Sequence, residues 1–202
     1  MRRIVVGITG ASGIPYAVKV LELLREKPDI ETHLVVSKAG KRVIAEESDV
    51  PLEIIKKLAD VTYPTDDVGA AIASGSFRTE GMIIVPCTMK SLSEIDYSNT
   101  SNLVTRAADV TLKEGRKLVI VPRETPLRES HLTAMLQAKR DGAVILPPSP
   151  AFYTRPFSLD DIVLHTAGRI LDHFNIDSNI QRWGEEQNDY VFQPSGHPEL
   201  FV

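Results

Sequence analysis

The chain has 202 residues, of which 43% are hydrophobic and 25% charged, and its formal net charge is −4 at pH 7. This composition is typical of a globular domain with a sizeable core, and the negative charge argues against a nucleic-acid partner. No apolar run approaches the roughly 20 residues of a membrane span, and the single cysteine, Cys87, excludes an internal disulfide and favours a cytoplasmic protein.

The first predicted elements are a strand, a glycine-rich turn and a helix. The β-branched run Ile4–Val6 predicts a buried strand, and the stretch GITGASG at 7–13 leads into a helix over about 13–25. Ser12 suits the N-cap of that helix. Because N–H groups at a helix N-terminus attract anions, the loop predicts either an anion site or a turn without a ligand. Its G-x-x-G-x-x-G spacing matches neither the dinucleotide fingerprint nor the P-loop.

Strands and helices alternate along the rest of the chain. Further strand-like runs lie at His33–Val36, Met82–Val85, Leu118–Val121 and Ala143–Leu146, and helical patterns at about 38–47, 51–59, 88–95, 101–114, 128–140 and 158–173. This order predicts an α/β fold, with a mostly parallel sheet between two layers of helices. In such sheets ligands bind at the carboxyl ends of the strands. The polar segment Tyr63–Thr79 is interpreted as a loop over the site or as a plain connection.

Charged side chains in two places are candidates for chemistry. Arg106, Asp109 and Lys113 share one helix face, which predicts either a cationic wall for a phosphate or a solvated face where Asp109 bridges both cations. Arg123 and Glu124 directly follow a strand. The carboxylate there is a candidate general acid or base, or one half of an ion pair.

Four further residues stand out by their surroundings. Arg169 is polar within an apolar helix, which predicts an inward and paired side chain. Glu47 belongs with Glu46 and Asp49 to a group of acids at a helix C-terminus, where acids oppose the dipole, so either one of the three has a specific role or all are only solvated. Cys87 is interpreted as a small buried hydrophobe. Trp183 anchors the tail or forms an aromatic wall over a ligand.

Several motifs taken together resemble the UbiX-type flavin prenyltransferases, over about residues 3–184. They are GITGASG at 7–13, SGSF at 74–77, PCTMKS at 86–91, RAADVTLKE at 106–114, VPRE at 121–124 and PAFY at 150–153. The resemblance implies a three-layer, flavodoxin-like Rossmann sandwich that assembles as a homo-oligomer, commonly a dodecamer. It implies metal-independent transfer of a dimethylallyl group from dimethylallyl monophosphate to N5 and C6 of reduced FMN. The prenylated FMN would serve a UbiD-type decarboxylase.

The resemblance also assigns site residues and a division of the chain. It implies FMN contacts at Gly10, Ala11, Ser12, Ser37, Thr88, Met89, Lys90, Ser91, Arg106 and Arg123. It implies prenyl-phosphate contacts at Ser74, Gly75, Lys113, Arg123, Glu124, Tyr153 and Arg169, and catalytic roles for Ser12, Glu47, Glu124 and Trp183. Residues 1–175 are then one FMN-binding domain, and 176–202 a tail that packs on it or on a neighbouring subunit.

One stretch departs from the family pattern and keeps an alternative open. Where related sequences carry small residues after the PCTMKS segment, this chain has Glu94, Asp96 and Tyr97. A non-catalytic FMN-binding accessory subunit of a decarboxylase system therefore remains an alternative. Flavin-dependent cysteine decarboxylases fit less well, because they carry P-x-S-A-N-T and a histidine after an early strand. A flavodoxin-like electron carrier would need no phosphate-binding cluster.

Overall fold

One six-stranded sheet runs through the computed structural model, which describes residues 1–184. Its strands are β1 (Arg2–Ile8), β2 (Ile30–Val36), β3 (Val61–Tyr63), β4 (Gly81–Cys87), β5 (Lys117–Pro122) and β6 (Val144–Ile145). They are ordered β3-β2-β1-β4-β5-β6, and every pair of neighbours is parallel. The predicted parallel sheet is therefore confirmed.

Helices cover both faces of this sheet. They are α1 (Ile14–Arg25), α2 (Lys38–Glu47), α3 (Leu52–Lys56), α4 (Met89–Asp96), α5 (Leu103–Lys113), α6 (Glu129–Arg140) and α7 (Leu159–Asp172), with short 3-10 turns at Ala71–Ala73 and Phe152–Thr154. One core lies between the sheet and α1, α2, α3 and α7. The other lies between the sheet and α4, α5 and α6. This arrangement is the predicted three-layer sandwich.

The two cores explain why the central strands are apolar at nearly every position. Along β1, Ile4 and Val6 belong to the first core, whereas Val5 belongs to the second. In β4, Ile83 faces the first core and Ile84 the second. Successive strand residues point to opposite faces, so a strand covered on both sides shows no polar alternation.

The predicted connection at 63–79 contains more structure than expected. It starts at the end of β3, an edge strand of three residues that the sequence prediction missed. Ala70, Ile72 and Ala73 are at most 8% exposed and pack in the second core. The middle of the segment, around 70–73, is therefore packed on the second core.

The start of the predicted tail packs on α7. Ile176 is buried in the first core, and a Cβ added to Gly168 would lie 2.4 Å from the Cγ2 atom of Ile180. The division at 175 stays a prediction, and residues 185–202 of the tail lie outside the described part. Within residues 1–184, no helix has the length and apolar character needed to cross a membrane.

Candidate active site

The carboxyl ends of β1, β2, β4 and β5 carry the first set of predicted residues. From β1 the chain continues to β2 and β3 on one side, and it returns to build β4, β5 and β6 on the other. The strand order therefore reverses between β1 and β4, which is the topological switch point of the sheet. Ligands of parallel sheets bind in the crevice outside such a switch point. We call residues 9–13, Ser37, 88–91 and 123–124 the switch-point loops.

Thr9 joins two of these loops, although the sequence analysis did not single it out. Its side chain is 1% exposed, and its Oγ1 donates to the Pro86 carbonyl and accepts from the Thr88 amide, both at 2.8 Å. Backbone hydrogen bonds also join Ser37 to the end of β1 at 2.9 Å and Arg123 to the end of β4 at 3.2 Å. The loops therefore form one connected rim. The only signal in the sequence was a hydroxyl directly after a strand.

Replacing Thr9 with valine should loosen this rim. Valine has nearly the same shape but accepts no hydrogen bond, so the Thr88 amide loses its partner, at a cost of about 1–3 kcal/mol in the free energy of unfolding. Chemical denaturation measures this cost, and we expect weaker FMN binding with it. The control is Thr111→Val, since buried Thr111 only donates to the Ala107 carbonyl of its own helix at 2.7 Å. Equal FMN affinities in the two variants would contradict the role of Thr9.

Three helices begin at the switch-point loops. The Ser37 hydroxyl caps α2 by accepting from the Gly40 amide at 3.0 Å. Thr88 caps α4 by accepting from the Ser91 amide at 3.1 Å. The N-cap of α1 is Gly13, whose φ of 116° lies in the left-handed region that favours glycine. The partial positive charges of these N-termini favour an anionic ligand.

The prediction that Ser12 caps α1 is wrong. Ser12 precedes the N-cap position, so its hydroxyl lies too early in the chain to accept from the first helical amides. Glu47 takes that role from the end of α2, because its Oε2 accepts from Gly13 N at 2.9 Å and from Ile14 N at 3.4 Å. A carboxylate thus occupies the start of α1, whereas the starts of α2 and α4 carry only the neutral hydroxyl caps of Ser37 and Thr88.

Glu47 stays ionised at neutral pH. Burial raises the pKa of its carboxyl, but the amide hydrogen bonds, a hydrogen bond with Ser12 and the positive charge of Arg123 lower it to below the ordinary value. The structure therefore brings Ser12, Glu47 and Arg123 together, as three residues of the predicted site.

A second set of predicted residues lies along α5 and on the loop before β4. The Arg106 Nε donates to the Ala73 carbonyl at 3.2 Å, and its Nη1 is 3.2 Å from the Asp109 carboxylate. Lys113 pairs with Glu114 at 3.0 Å. The prediction that Asp109 bridges both cations is therefore wrong, because Lys113 has a carboxylate next to it in the chain. We call Ser74, Gly75, Arg106 and Lys113 the α5 group.

Arg116 fixes the loop part of the α5 group, and the sequence analysis missed it. It donates to the carbonyls of Gly75 at 2.5 Å and Phe77 at 2.9 Å. A Cβ on Gly75 would lie 3.1 Å from the Lys113 Nζ, so the loop touches the end of α5. Arg116 directly precedes β5, whose first residue pairs with the first residue of β4. This end of the α5 group therefore lies at the amino ends of the strands, opposite the switch-point loops.

A third set of predicted residues lines a cavity of about 800 Å³ beside β6 and α7, which we call the β6 cavity. Trp183, 82% exposed, meets the Tyr153 ring edge to face, with centroids 5.4 Å apart. Arg169 pairs with Asp172 at 2.8 Å, as predicted, but its side chain is 51% exposed. The predicted inward position is thus wrong, since Arg169 points to the cavity instead of the core.

The predicted site residues therefore form three sets within one chain. None of the switch-point loops and no member of the α5 group lines the β6 cavity. The sequence placed these residues on strand ends and helix faces, but it gave no information about the distance between the sets.

The stretch that departs from the family pattern, with Glu94, Asp96 and Tyr97, does not line the β6 cavity. Tyr97 is 82% exposed, and the Glu94 carboxylate pairs with Lys90 at 2.6 Å and accepts from Ser101 at 3.1 Å. Burial, followed by the charge of Asp141, raises the pKa of Asp96. Glu94 thus holds the side chain of Lys90, one of the residues predicted to contact FMN.

The single thiol is unsuited to nucleophilic chemistry. Cys87 is fully buried, and burial raises its pKa to about 12, so the reactive thiolate is absent at neutral pH. Within residues 1–184, no group of three or more histidine, cysteine or carboxylate side chains is placed to hold a metal ion.

Comparison with known proteins identifies close relatives. The family model described as Flavoprotein matches residues 1–165. The flavin prenyltransferase UbiX of Escherichia coli K12 is 54% identical over 176 residues, which cover 87% of this chain and 93% of that protein. The flavin prenyltransferase LpdB of Lactiplantibacillus plantarum is 53% identical over 182 residues, covering 90% of this chain and 97% of that protein.

Solved structures agree with these relatives. A dodecameric FMN-dependent UbiX-like decarboxylase from Escherichia coli O157:H7 superposes with a TM-score of 0.88 at 49% identity, over 90% of this chain and 98% of that one. AnUbiX (PadA1), in complex with FMN and dimethylallyl pyrophosphate, gives a TM-score of 0.89 at 46% identity, over 92% and 99%. The epidermin biosynthesis protein EpiD from Staphylococcus aureus, at 18% identity and a TM-score of 0.56, shares the fold alone.

Proposed function

Since the chain belongs to the family of UbiX-type flavin prenyltransferases, we propose that it joins the dimethylallyl group of dimethylallyl monophosphate to N5 and C6 of reduced FMN. The observation that carries this proposal is identity above 50% to named flavin prenyltransferases over 87–90% of the chain. We propose that the product, prenylated FMN, serves as the cofactor of a UbiD-type decarboxylase.

The switch-point loops fit a mononucleotide such as FMN. The N-termini of α2 and α4, which carry only neutral hydroxyl caps, suit one phosphate at this edge. The loop after β1 lies so close to α2 that a Cβ on Gly10 would be 2.4 Å from the Cβ of Ala39, so only glycine lets the backbone pass here. We propose that 10–12, Ser37, 88–91 and Arg123 hold the cofactor, with Arg106 beside it. Reduced FMN supplies the two acceptor atoms of the reaction.

The prenyl phosphate needs positive charge when its carbon–oxygen bond breaks, because a phosphate and an allyl cation separate. Lys113, Arg123 and Arg169 suit the phosphate through charge-assisted hydrogen bonds, and the Tyr153 hydroxyl and the Ser74–Gly75 loop supply neutral ones. The exposed indole of Trp183 suits the allyl cation through cation–π attraction.

Two of the proton transfers fall to residues around β5 and α1. Glu124 would protonate the leaving phosphate. Ser12 would then relay the proton released at C6 to the Glu124 carboxylate, which restores its acid form. Glu47, ionised and hydrogen-bonded with Ser12, orients that hydroxyl. No metal ion is needed in this scheme, because side-chain cations neutralise the phosphate.

We propose that neighbouring subunits complete the site. The three sets are separate within one chain, and a relative of known structure is a dodecamer. Large apolar side chains in the segment between β6 and α7 and at the start of α7 are exposed, namely Phe152 at 71%, Phe157 at 89% and Leu159 at 80%. Such side chains are typical of an interface between subunits. The α5 group and the β6 cavity would then meet the switch-point loops of other copies.

An anaerobic assay tests the proposed function. The protein is mixed with reduced FMN and dimethylallyl monophosphate, and in parallel with the diphosphate. Mass spectrometry should show a flavin heavier by one five-carbon unit with the monophosphate. FMN that stays bound but unmodified with both donors would contradict prenyl transfer and favour the accessory subunit.

A further inference from the structure

A histidine that has no assigned role, His165, lines the β6 cavity. His165, one turn before Arg169 on α7, lines this cavity together with Tyr153 and Trp183. Its Nε2 is 3.0 Å from the Tyr153 hydroxyl, and the two rings meet edge to face with centroids 5.6 Å apart. His165 therefore touches a side chain that the proposed function assigns to the phosphate.

The hydrogen bonds of the ring determine which way the Tyr153 proton points. The ring also hydrogen-bonds the backbone of Gln181, which favours a proton on that side of His165. In the neutral ring, Nε2 then accepts, so the Tyr153 hydroxyl donates to His165 and has no proton to give a ligand. In the imidazolium, Nε2 donates instead. The Tyr153 oxygen then accepts from His165, and its proton is free for a phosphate oxygen.

We propose that His165 is a positioning residue that takes up one proton from solvent when a phosphate dianion enters the β6 cavity, and that this turns the Tyr153 hydroxyl toward the phosphate. The inference rests on the proposed function, because it uses the assignment of Tyr153 and Arg169 to the phosphate. The proton balance is simple. One solvent proton binds Nε2, and the Tyr153 proton moves from the His165 hydrogen bond to the phosphate hydrogen bond.

The charges around the His165 ring support a coupling between phosphate binding and protonation of the ring. Burial lowers the pKa of His165, Arg169 lowers it further, and Asp172 together with the Gln181 backbone only partly compensates, so the ring is neutral at pH 7 without a ligand. A dianion beside Arg169 would cancel that repulsion and add attraction. His165 lines the β6 cavity and also a second cavity at the start of α7. The other titratable or charged side chains that line these two cavities are Tyr153, Arg155, Asp161, His173 and Arg182.

Phosphate binding at different pH values tests the proposal. Inorganic phosphate is titrated calorimetrically into the intact FMN-loaded protein and into its His165→Gln variant, between about pH 5.5 and 8. Glutamine still hydrogen-bonds Tyr153 but does not titrate. The ratio of the variant Kd to the wild-type Kd should rise as the pH falls. The rise is up to about tenfold for each pH unit by which bound phosphate raises the pKa of His165. Protonation of phosphate itself cancels in this ratio.

A Tyr153→Phe background separates positioning from charge. Removing the hydroxyl should weaken the pH dependence of the ratio, because only the direct attraction between the His165 imidazolium and the phosphate then remains. An unchanged dependence in this background would show that His165 acts by charge alone, and it would overturn the positioning role. Titrations in two buffers of different ionisation enthalpy should show that the wild type takes up more protons on binding phosphate than His165→Gln does, and the difference removes the protons that phosphate itself releases.

The outcomes distinguish this inference from the proposed function. A Kd ratio that is constant with pH overturns the role of His165, whether or not prenylated FMN forms. Conversely, a pH-dependent ratio in a protein that never prenylates FMN supports His165 as a phosphate-coupled residue and overturns the prenyltransferase proposal.

Discussion

Glutamine in place of Glu124 should lower the rate constant of prenyl transfer by about 10²- to 10⁴-fold, the range that positioned acid catalysts supply. Glu124 directly follows β5, and within residues 1–184 it forms no ion pair; its Oε1 only accepts from the Thr125 amide at 3.0 Å. The side chain is therefore open to a ligand, and an amide in its place could not exchange a proton with that ligand. Single-turnover mass spectrometry of the flavin under anaerobic conditions measures the rate.

The matched control for this variant is Glu129→Gln. Glu129 begins α6, five positions further along the chain, and no site role falls to it, so the same change in charge should leave the rate within about twofold. FMN affinity should be unchanged in both variants. Full activity of Glu124→Gln would remove Glu124 from the mechanism, whereas lost FMN binding would indicate a binding role.

Alanine in place of Gly10 should weaken FMN binding by roughly 10- to 100-fold. Its Cβ would lie 2.4 Å from the Cβ of Ala39. Both atoms are fixed to the backbone, so no side-chain rotation relieves the clash, and the loop or α2 must move away. Overpacking of this kind costs about 1–3 kcal/mol in the free energy of unfolding. Quenching of FMN fluorescence on binding measures the affinity.

Gly69→Ala is the matched control for that substitution. A Cβ at Gly69 would have its nearest neighbour, the Oδ1 of Asp67, at an ordinary 3.7 Å. We therefore expect wild-type FMN affinity and stability. If Gly10→Ala binds FMN as tightly as Gly69→Ala does, the loop after β1 does not form the wall of the flavin site.

The layers of the fold could be predicted because each central element carries its own signal. β1, β2, β4 and β5 are runs of β-branched and aliphatic residues, since both of their faces are buried. β3 escaped prediction because three half-buried or exposed residues at an edge need little apolar character. β6 is similarly short, and only Val144–Ile145 of the predicted run 143–146 pairs with β5.

The site could be predicted only in part, because several of its residues owe their roles to partners that are distant in the sequence. Glu47 caps a helix that begins 33 residues before it, which no local capping pattern shows. Arg116 belongs by composition to a charged turn, yet its bonds to the Gly75 and Phe77 carbonyls span about forty residues. His165 resembles any histidine on a helix until Tyr153 is placed against it.

The carboxylate at the start of α1 has a consequence for where this chain accepts a phosphate. In dinucleotide-binding proteins the equivalent helix end receives the pyrophosphate. Here Glu47 occupies the amides of Gly13 and Ile14, and its lowered pKa keeps it anionic at neutral pH. A pyrophosphate arriving there would meet an intramolecular competitor of the same charge. Glu47 thus disfavours any phosphate at the start of α1, and a phosphate bound at the start of α2 or α4 does not meet this competitor.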